Sequence, residues 1–326
     1  MIQKIKAKIY AICFWQSGFG EILNKISDLR IFYKYSFTDK NQKSQESLRA
    51  FLTKQYHIIE KGMALPDPRQ GFGKPKILLL IDKSSEYTKL YGSDSLIVNI
   101  QETLKLYLNR NPNLMNVDKV FFELISEFVA QVSAGNKGGL KIISKKDIQE
   151  AVNIDFEKFV KSRSSVRNFD ESEVLTSKIE KAVEIARNAP SVCNRQSWKL
   201  HHYKDKSLKN ALLKLQNGSN GFTDSINQLL IVTTDVKNFT KLESNQVYVD
   251  GGLFAMNLIL SLHSQQIATC CLNTCVTYIA ENQIKKLGNI PDSQKLIMMI
   301  GIGNYKESCE VAISDKFAVN EILTFH

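Results

Sequence analysis

The chain has 326 residues, 43% hydrophobic and 23% charged. That is enough apolar material to bury a sizeable core, and it excludes disorder, collagen or a coiled coil over most of the length. Lys and Arg outnumber Asp and Glu by 43 to 33, a formal +10. The excess is uneven: residues 1–50 carry 9 basic against 4 acidic groups, 51–150 carry 14 against 11, and 151–326 carry 20 against 18. A nucleic-acid enzyme places its basic excess beside its chemistry, so the near-neutral C-terminal half argues against nucleic acid as a partner.

In chain order, residues 1–35 read as helix, with apolar groups at Ile5, Ile9 and Ile12 and again at Ile22, Leu23, Ile26 and Leu29. Lys4, Lys6 and Lys8 ahead of Ile9–Trp15 have the look of a short signal peptide, but Gln16 breaks the run and no small-residue cleavage site follows, which argues against secretion. Contact of this basic segment with a membrane surface is the weaker alternative. No apolar run reaches the roughly 18–20 residues of a membrane helix. Residues 36–46 form a polar linker, helical spacing returns from Ser47 to about Met63, and Pro66, Pro68, Gly71, Gly73 and Pro75 stop it. Leu96–Leu108 and Val120–Val132 read as amphipathic helices, and Gly135–Gly139 is a break.

From Ile148 onward the period alternates between 3.6 and 2. Ser177–Ala189 is a predicted helix in which Ser177 and Glu180 have capping-box spacing and Pro190 ends the run. Trp198–Tyr203 and Leu229–Thr234 read as strands, and Tyr248–His263 as a helix so apolar around its circumference that it is expected to be buried. A strand over Ile267–Leu272, a helix over Glu281–Leu287 and a strand over Lys295–Gly301 complete the pattern. The reading is a mainly helical part over 1–150 and a part over 151–326 in which helices cover a central sheet.

Four segments could carry chemistry. Ser162-Arg163-Ser164-Ser165-Val166-Arg167-Asn168-Phe169 interleaves two guanidiniums with hydroxyls, a set able to hold a phosphate monoester; a solvated surface cluster is the plainer reading. Ala189–Trp198 places Ser191, Asn194, Arg195 and Gln196 in a turn that could offer amide donors and acceptors to a planar heterocycle, with Arg195 stabilising negative charge. The tandem Gly251-Gly252 inside a helix suggests close backbone approach, as by a helix across a dimer interface. The thiols of Cys270, Cys271 and Cys275 have only His263 nearby and fit neither a zinc site nor a cysteine nucleophile. With Cys13, Cys193 and Cys309 they read as free thiols of a reducing cytoplasm.

Taken in order, Arg-Ser-Ser-Val-Arg-Asn-Phe, the helix ending in Ala-Pro-Ser with Asn and Gln-Ser-Trp after it, the long apolar helix and the closing Ile300-Gly301-Ile302-Gly303 resemble the nitroreductase family of flavoenzymes. The resemblance spans about residues 153–326. It implies an α+β fold, a central mainly antiparallel sheet flanked by helices, with the mainly α N-terminal extension lying outside the minimal fold. It also implies FMN as cofactor, a homodimer with the flavin at its interface, and NAD(P)H or an organic donor feeding hydride through flavin N5 to a small organic substrate. Carried over residue by residue, Arg163, Ser164 and Ser165 would hold the FMN phosphate and ribityl chain. Arg167 would reach the pyrimidine side of the ring. Pro190, Ser191, Asn194 and Gln196 would lie against the flavin, Leu272, Asn273 and Thr274 would bring a backbone N–H to N5, and Ser314 and Lys316 would complete the phosphate site. Two departures stand out: Gln196-Ser197-Trp198 replaces the usual Gln-Pro-Trp, and Asn273-Thr274 replaces a frequent Glu-Gly.

In the front part, His57-Ile58-Ile59-Glu60-Lys61-Gly62-Met63 followed by Arg69-Gln70-Gly71-Phe72-Gly73 resembles a motif of long nitroreductase-like proteins associated with polysaccharide gene clusters. On that reading His57, Glu60 and Lys61 line the substrate side of the flavin; the plainer one is a capped helix end with a single salt bridge. An alternative function is a non-redox binding or assembly protein that keeps the fold and recruits partners through its basic N-terminal helices.

Overall fold

A computed structural model describes residues 18–38, 41–42, 44–66, 68–130, 138–151, 153–312, 314 and 316–326. The first 17 residues of the helix expected over 1–35, with Cys13, lie outside the described residues, as does most of the 135–139 break.

The front part is helical: α1 (Gly18–Tyr35), α2 (Gln45–Met63), α3 (Lys74–Tyr91), α4 (Ser95–Arg110), the single turn α5 (Leu114–Val117), α6 (Lys119–Val129) and α7 (Lys145–Ala151). Its core is one apolar cluster in which Phe51, Leu52, Ile59, Ile77, Leu80, Tyr87, Ile100, Leu104, Tyr107 and Ile125 are buried. The proline-glycine stretch that seemed only to end α2 also starts α3. Gly73 takes φ 76° as its N-cap and Pro75 sits in the first turn, where the missing N–H costs nothing because no intrahelical acceptor exists for it. Ile77, Leu80, Ser84 and Tyr87 form the buried face of α3. Asp94 caps α4 by accepting from Leu96 N at 2.9 Å and Ile97 N at 3.4 Å. Its other oxygen accepts from Tyr87 Oη at 2.9 Å and pairs with Arg49, so one carboxylate joins α2, α3 and α4.

The second part contains α8 (Phe156–Ser162), α9 (Thr176–Ala186), β1 (Trp198–Tyr203), α10 (Lys206–Lys214), β2 (Gln228–Asp235), α11 (Gln246–Ser264), β3 (Ile267–Leu272), α12 (Tyr278–Leu287), β4 (Gln294–Asn304) and α13 (Val319–Ile322). Among the described residues one four-stranded sheet forms, in the order β1-β2-β4-β3 with every pair antiparallel. It is covered on both faces: α9 and α11 bury Trp198, Leu230, Val232, Leu258 and Ile300 on one side, while Leu212, Leu213 and Ile284 from α10 and α12 pack on Leu229, Ile231 and Met299 on the other. All eight residues of β2 are therefore buried. This is the expected α+β architecture with a mainly helical N-terminal part.

Three expectations change. α9 is capped at Leu175 without a side-chain bond, so Ser177 and Glu180 lie inside the helix and form no capping box. α11 is buried only on the sheet side: Tyr248, Val249, Leu253 and Met256 are each close to half exposed. Gly251 does serve a close approach, but within one chain: a Cβ there would stand 2.5 Å from Ile297 Cγ1 on β4, whereas Gly252 faces open space.

The front part is docked on the second part at several points. Phe37 N donates to Phe239 O at 3.0 Å, Phe32 packs with Val236, Phe239 and Val247, and Asp28 of α1 accepts from Lys295 Nζ of β4 at 2.7 Å. α2 contacts the short turns at 192–194 and 236–238.

Candidate functional site

α8 ends at Ser162, and Arg163 turns the backbone extended (φ −74°, ψ 125°). The chain then lies along β3: Ser165 forms a parallel bridge with Thr269, and Val166 N donates to Thr269 O at 3.0 Å. Val166 goes into the core, and Arg167 stays exposed. Among the described residues no carboxylate pairs with either guanidinium of this segment. Arg167 lies over the Phe222 ring at 6.0 Å and reaches Ser165 O at 3.5 Å. Arg163 exerts its charge on His263, Cys271 and Tyr305. Burial pushes the Cys270 and Cys271 thiols up, against the opposing charge of Arg167 at Cys270 and of Arg163 at Cys271, which disfavours the thiolate a cysteine nucleophile needs.

β3 runs on into the expected segment 272–274. Leu272 is buried, Asn273 O accepts from Gln216 Nε2 at 3.1 Å, Asn273 Oδ1 accepts from Cys275 N at 3.0 Å, and Thr274 Oγ1 donates to Ile297 O at 3.2 Å. One sheet edge thus carries 163–167 and 272–274 together, with 216–222 closing over them.

The turn 190–196 leads into β1 and so belongs to the opposite edge, three strand spacings away, roughly 14 Å. It is strained: Cys193, Asn194 and Gln196 all have φ near 50°, a region that non-glycine residues avoid and that recurs at functional sites. Its frame explains how it persists. Ser191 Oγ accepts from Gln196 N at 3.0 Å. The fully buried Asp250 accepts from Val192 N at 3.2 Å and Gln246 Nε2 at 2.8 Å. Arg195 forks onto Glu243 at 2.9 and 2.8 Å and donates to Val192 O at 3.2 Å. Arg195 is therefore committed to the frame and not to a ligand. Burial pushes the Asp250 carboxyl up; it also opposes ionisation of Glu243, where the hydrogen bond from Arg195 wins and holds that carboxyl below its ordinary value. Sequence reasoning missed Asp250 and Glu243 as partners because each lies some fifty residues from the turn it braces.

Facing this turn is a cavity of about 280 Å³. Arg49, Thr53 and Tyr56 of α2 and Asn99 of α4 form one wall, and Asn194, Gln196 and Lys199 form the other. α2 is thus the helix that reaches the site, but through Tyr56, next to the expected His57, and through Thr53 and Arg49, about one and two turns before it. His57 Nδ1 and Glu60 Oε2 instead face each other at 3.1 Å, Glu60 Oε1 accepts from Gly139 N at 2.9 Å, and Lys61 is exposed. Glu60 thus ties α2 to the segment between α6 and α7, with His57 beside it. Pro190 and Ser191 hold the turn, Ser164 is half-buried beside Arg163, and Ser314 and Lys316 lie on an exposed tail where Lys316 Nζ donates to Ser314 O.

Arg163 through Gln196, with the strands that follow them, coincide with a known signature. A model of the Nitroreductase family matches residues 160–241. Among solved structures, the chain is similar to an FMN-dependent nitroreductase of Clostridium difficile R20291, at 20% identity over 51% of this chain and 96% of that one, with a TM-score of 0.44. It is similar to a nitroreductase family protein of Streptococcus pneumoniae TIGR4, at 24% identity over 53% and 100% of the two chains, with a TM-score of 0.45. A nitroreductase-like protein of Streptococcus mutans gives 22% identity over 53% and 98%, with a TM-score of 0.45. No curated protein matches the sequence.

Proposed function

We propose that this chain is an FMN-dependent oxidoreductase of nitroreductase type. One coincidence carries the reading: the family model covers both leading segments, and the first of them presents Arg163 and Arg167 with no carboxylate among the described residues to neutralise them. The residues fit the group. Two unneutralised guanidiniums beside the Ser164 and Ser165 hydroxyls suit a phosphate dianion, and a strained, braced turn can offer the Asn194 and Gln196 amides to a flat ring. When bound, FMN supplies two-electron hydride chemistry, here fed by NAD(P)H or an organic donor. The chain's part is to bind and orient: Arg163, Ser164 and Ser165 hold the phosphate end, aided by Ser314 and Lys316. Arg167 stabilises negative charge on the ring, while Leu272, Asn273 and Thr274 supply backbone N–H. The cavity under α2 excludes water and seats a small organic substrate.

On this reading the protein works as a homodimer. The binding set is split over two sheet edges, and a second copy seated on the exposed face of α11 brings its turn 190–196 to the 163–167 edge of the first. No helix of the described residues is long and apolar enough to cross a membrane, and the unpaired thiols of Cys193, Cys270, Cys271, Cys275 and Cys309 suit the cytoplasm.

Purified protein is expected to be yellow or to take up added FMN with flavin absorbance. Arg163→Ala should weaken FMN binding by about ten- to a hundredfold, as charge-assisted bonds are worth about 1.5–3 kcal/mol, while the surface control Arg187→Ala leaves it unchanged. Protein that stays colourless with FMN added sinks the proposal.

A further inference from the structure

One imidazole stands where three elements of the Arg163 end meet. Ser162 Oγ donates to Phe159 O at 2.8 Å, which leaves it to accept from His263 Nε2 at 2.8 Å. The other ring nitrogen, Nδ1, then accepts from Tyr305 Oη at 3.0 Å. With these partners every donor meets an acceptor only if the imidazole is neutral, protonated on Nε2. The Phe159 ring covers it at a centroid distance of 5.0 Å. The three partners come from the end of α8, the last turn of α11 and the residue after β4, where the C-terminal tail begins.

We propose that His263 is the positioning residue of the phosphate end: it fixes the loop that carries Arg163 and the root of the tail that carries Ser314 and Lys316 into one frame. This rests on the flavin reading above and adds to it the residue that aims its charged groups. The choice of side chain has a chemical reason. A carboxylate at this place would also bridge Ser162 and Tyr305, but it would neutralise the neighbouring Arg163 and remove the charge a phosphate needs. A neutral imidazole bridges without competing for the guanidinium.

Riboflavin lacks the phosphate and therefore separates this role from general support of the fold. Apoprotein titrated with FMN and with riboflavin, followed by flavin fluorescence, should show a preference for FMN in the wild type. In His263→Leu, FMN affinity should fall at least about tenfold with riboflavin affinity changed less than about twofold, so the preference collapses. His263→Gln, whose amide N–H can still reach Ser162, should recover part of it. Tyr305→Phe keeps the ring and loses one bond, so it should move the FMN preference the same way by less, and it decides the matter if His263→Leu fails to fold. An FMN preference unchanged in these variants, or parallel losses for both flavins, overturns the assignment while leaving the flavin reading intact. A wild type that binds neither flavin overturns both.

Discussion

What an arginine does here is decided by what faces it. The Arg195 side chain is wholly buried and forks onto Glu243, so its charge is consumed in holding a strained turn, whereas Arg163 pairs with no carboxylate among the described residues and lies near the His263 imidazole, the Cys271 thiol and the Tyr305 hydroxyl. Those surroundings leave a signature in pH. Burial first, and the Arg163 charge second, hold His263 below its ordinary value. Among the described residues the groups facing it, Ser162, Tyr305 and the Phe159 ring, include no carboxylate, and the Phe159 backbone carbonyl opposes the shift only in part. The unfolded chain therefore takes up this proton before the folded one does as pH falls, and stability is complete above the unfolded value near 6.5 and declines below it. Chemical unfolding of the wild type should show a larger loss of stability from about pH 7.5 to about pH 5.5 than His263→Gln does. Equal losses would mean that His263 does not titrate differently in the two states.

At the scale of elements, α11 is built with two unlike faces, and its adjacent glycines report them separately. Gly251→Ala drives a methyl into Ile297 on β4 and should cost about 1–3 kcal/mol, offset in part by the better helix propensity. Gly252→Ala meets nothing and should gain up to about 1 kcal/mol. Urea unfolding of the two variants checks the contrast, and similar effects would show that the α11–β4 spacing is not tight. The elements themselves were largely legible. Trp198–Tyr203 and Ile267–Leu272 read as strands in sequence and are strands in the structure, because β-branched and aromatic residues between turn signals leave little choice. α3 was not legible: Pro75 looks like a stop unless one knows that Gly73 has already turned the chain to begin a helix. The capping box at Ser177 misleads in the opposite way, since α9 starts two residues earlier, with Leu175 as its N-cap. In the candidate site, Arg163, Asn194 and Gln196 stood out by residue type. The left-handed backbone at Cys193, Asn194 and Gln196, its brace by Asp250 and Glu243, and the bridge at His263 depend on contacts between residues far apart in sequence, which no periodicity encodes.

At the scale of the whole molecule, the proposed homodimer would use the exposed face of α11, and a partner copy seated there would complete a proposed binding set otherwise split over two sheet edges. Leu253→Glu combined with Met256→Glu places two carboxylates on that face. It should convert a dimer to a monomer by light scattering and abolish FMN uptake together with it. Dimeric protein that still binds FMN would put the interface elsewhere.

The helical front part also settles an account of charge inside the second part. Lys285 and Lys295 converge on a single carboxylate, Glu281, and all three side chains are at most 13% exposed. Two cations against one anion leave that interior one negative charge short, and the missing one is Asp28, delivered by α1. Uncompensated charge away from water is among the most destabilising features a fold can carry. A chain cut to begin at residue 151 would lose Asp28 and leave Lys285 and Lys295 to share the one carboxylate of Glu281.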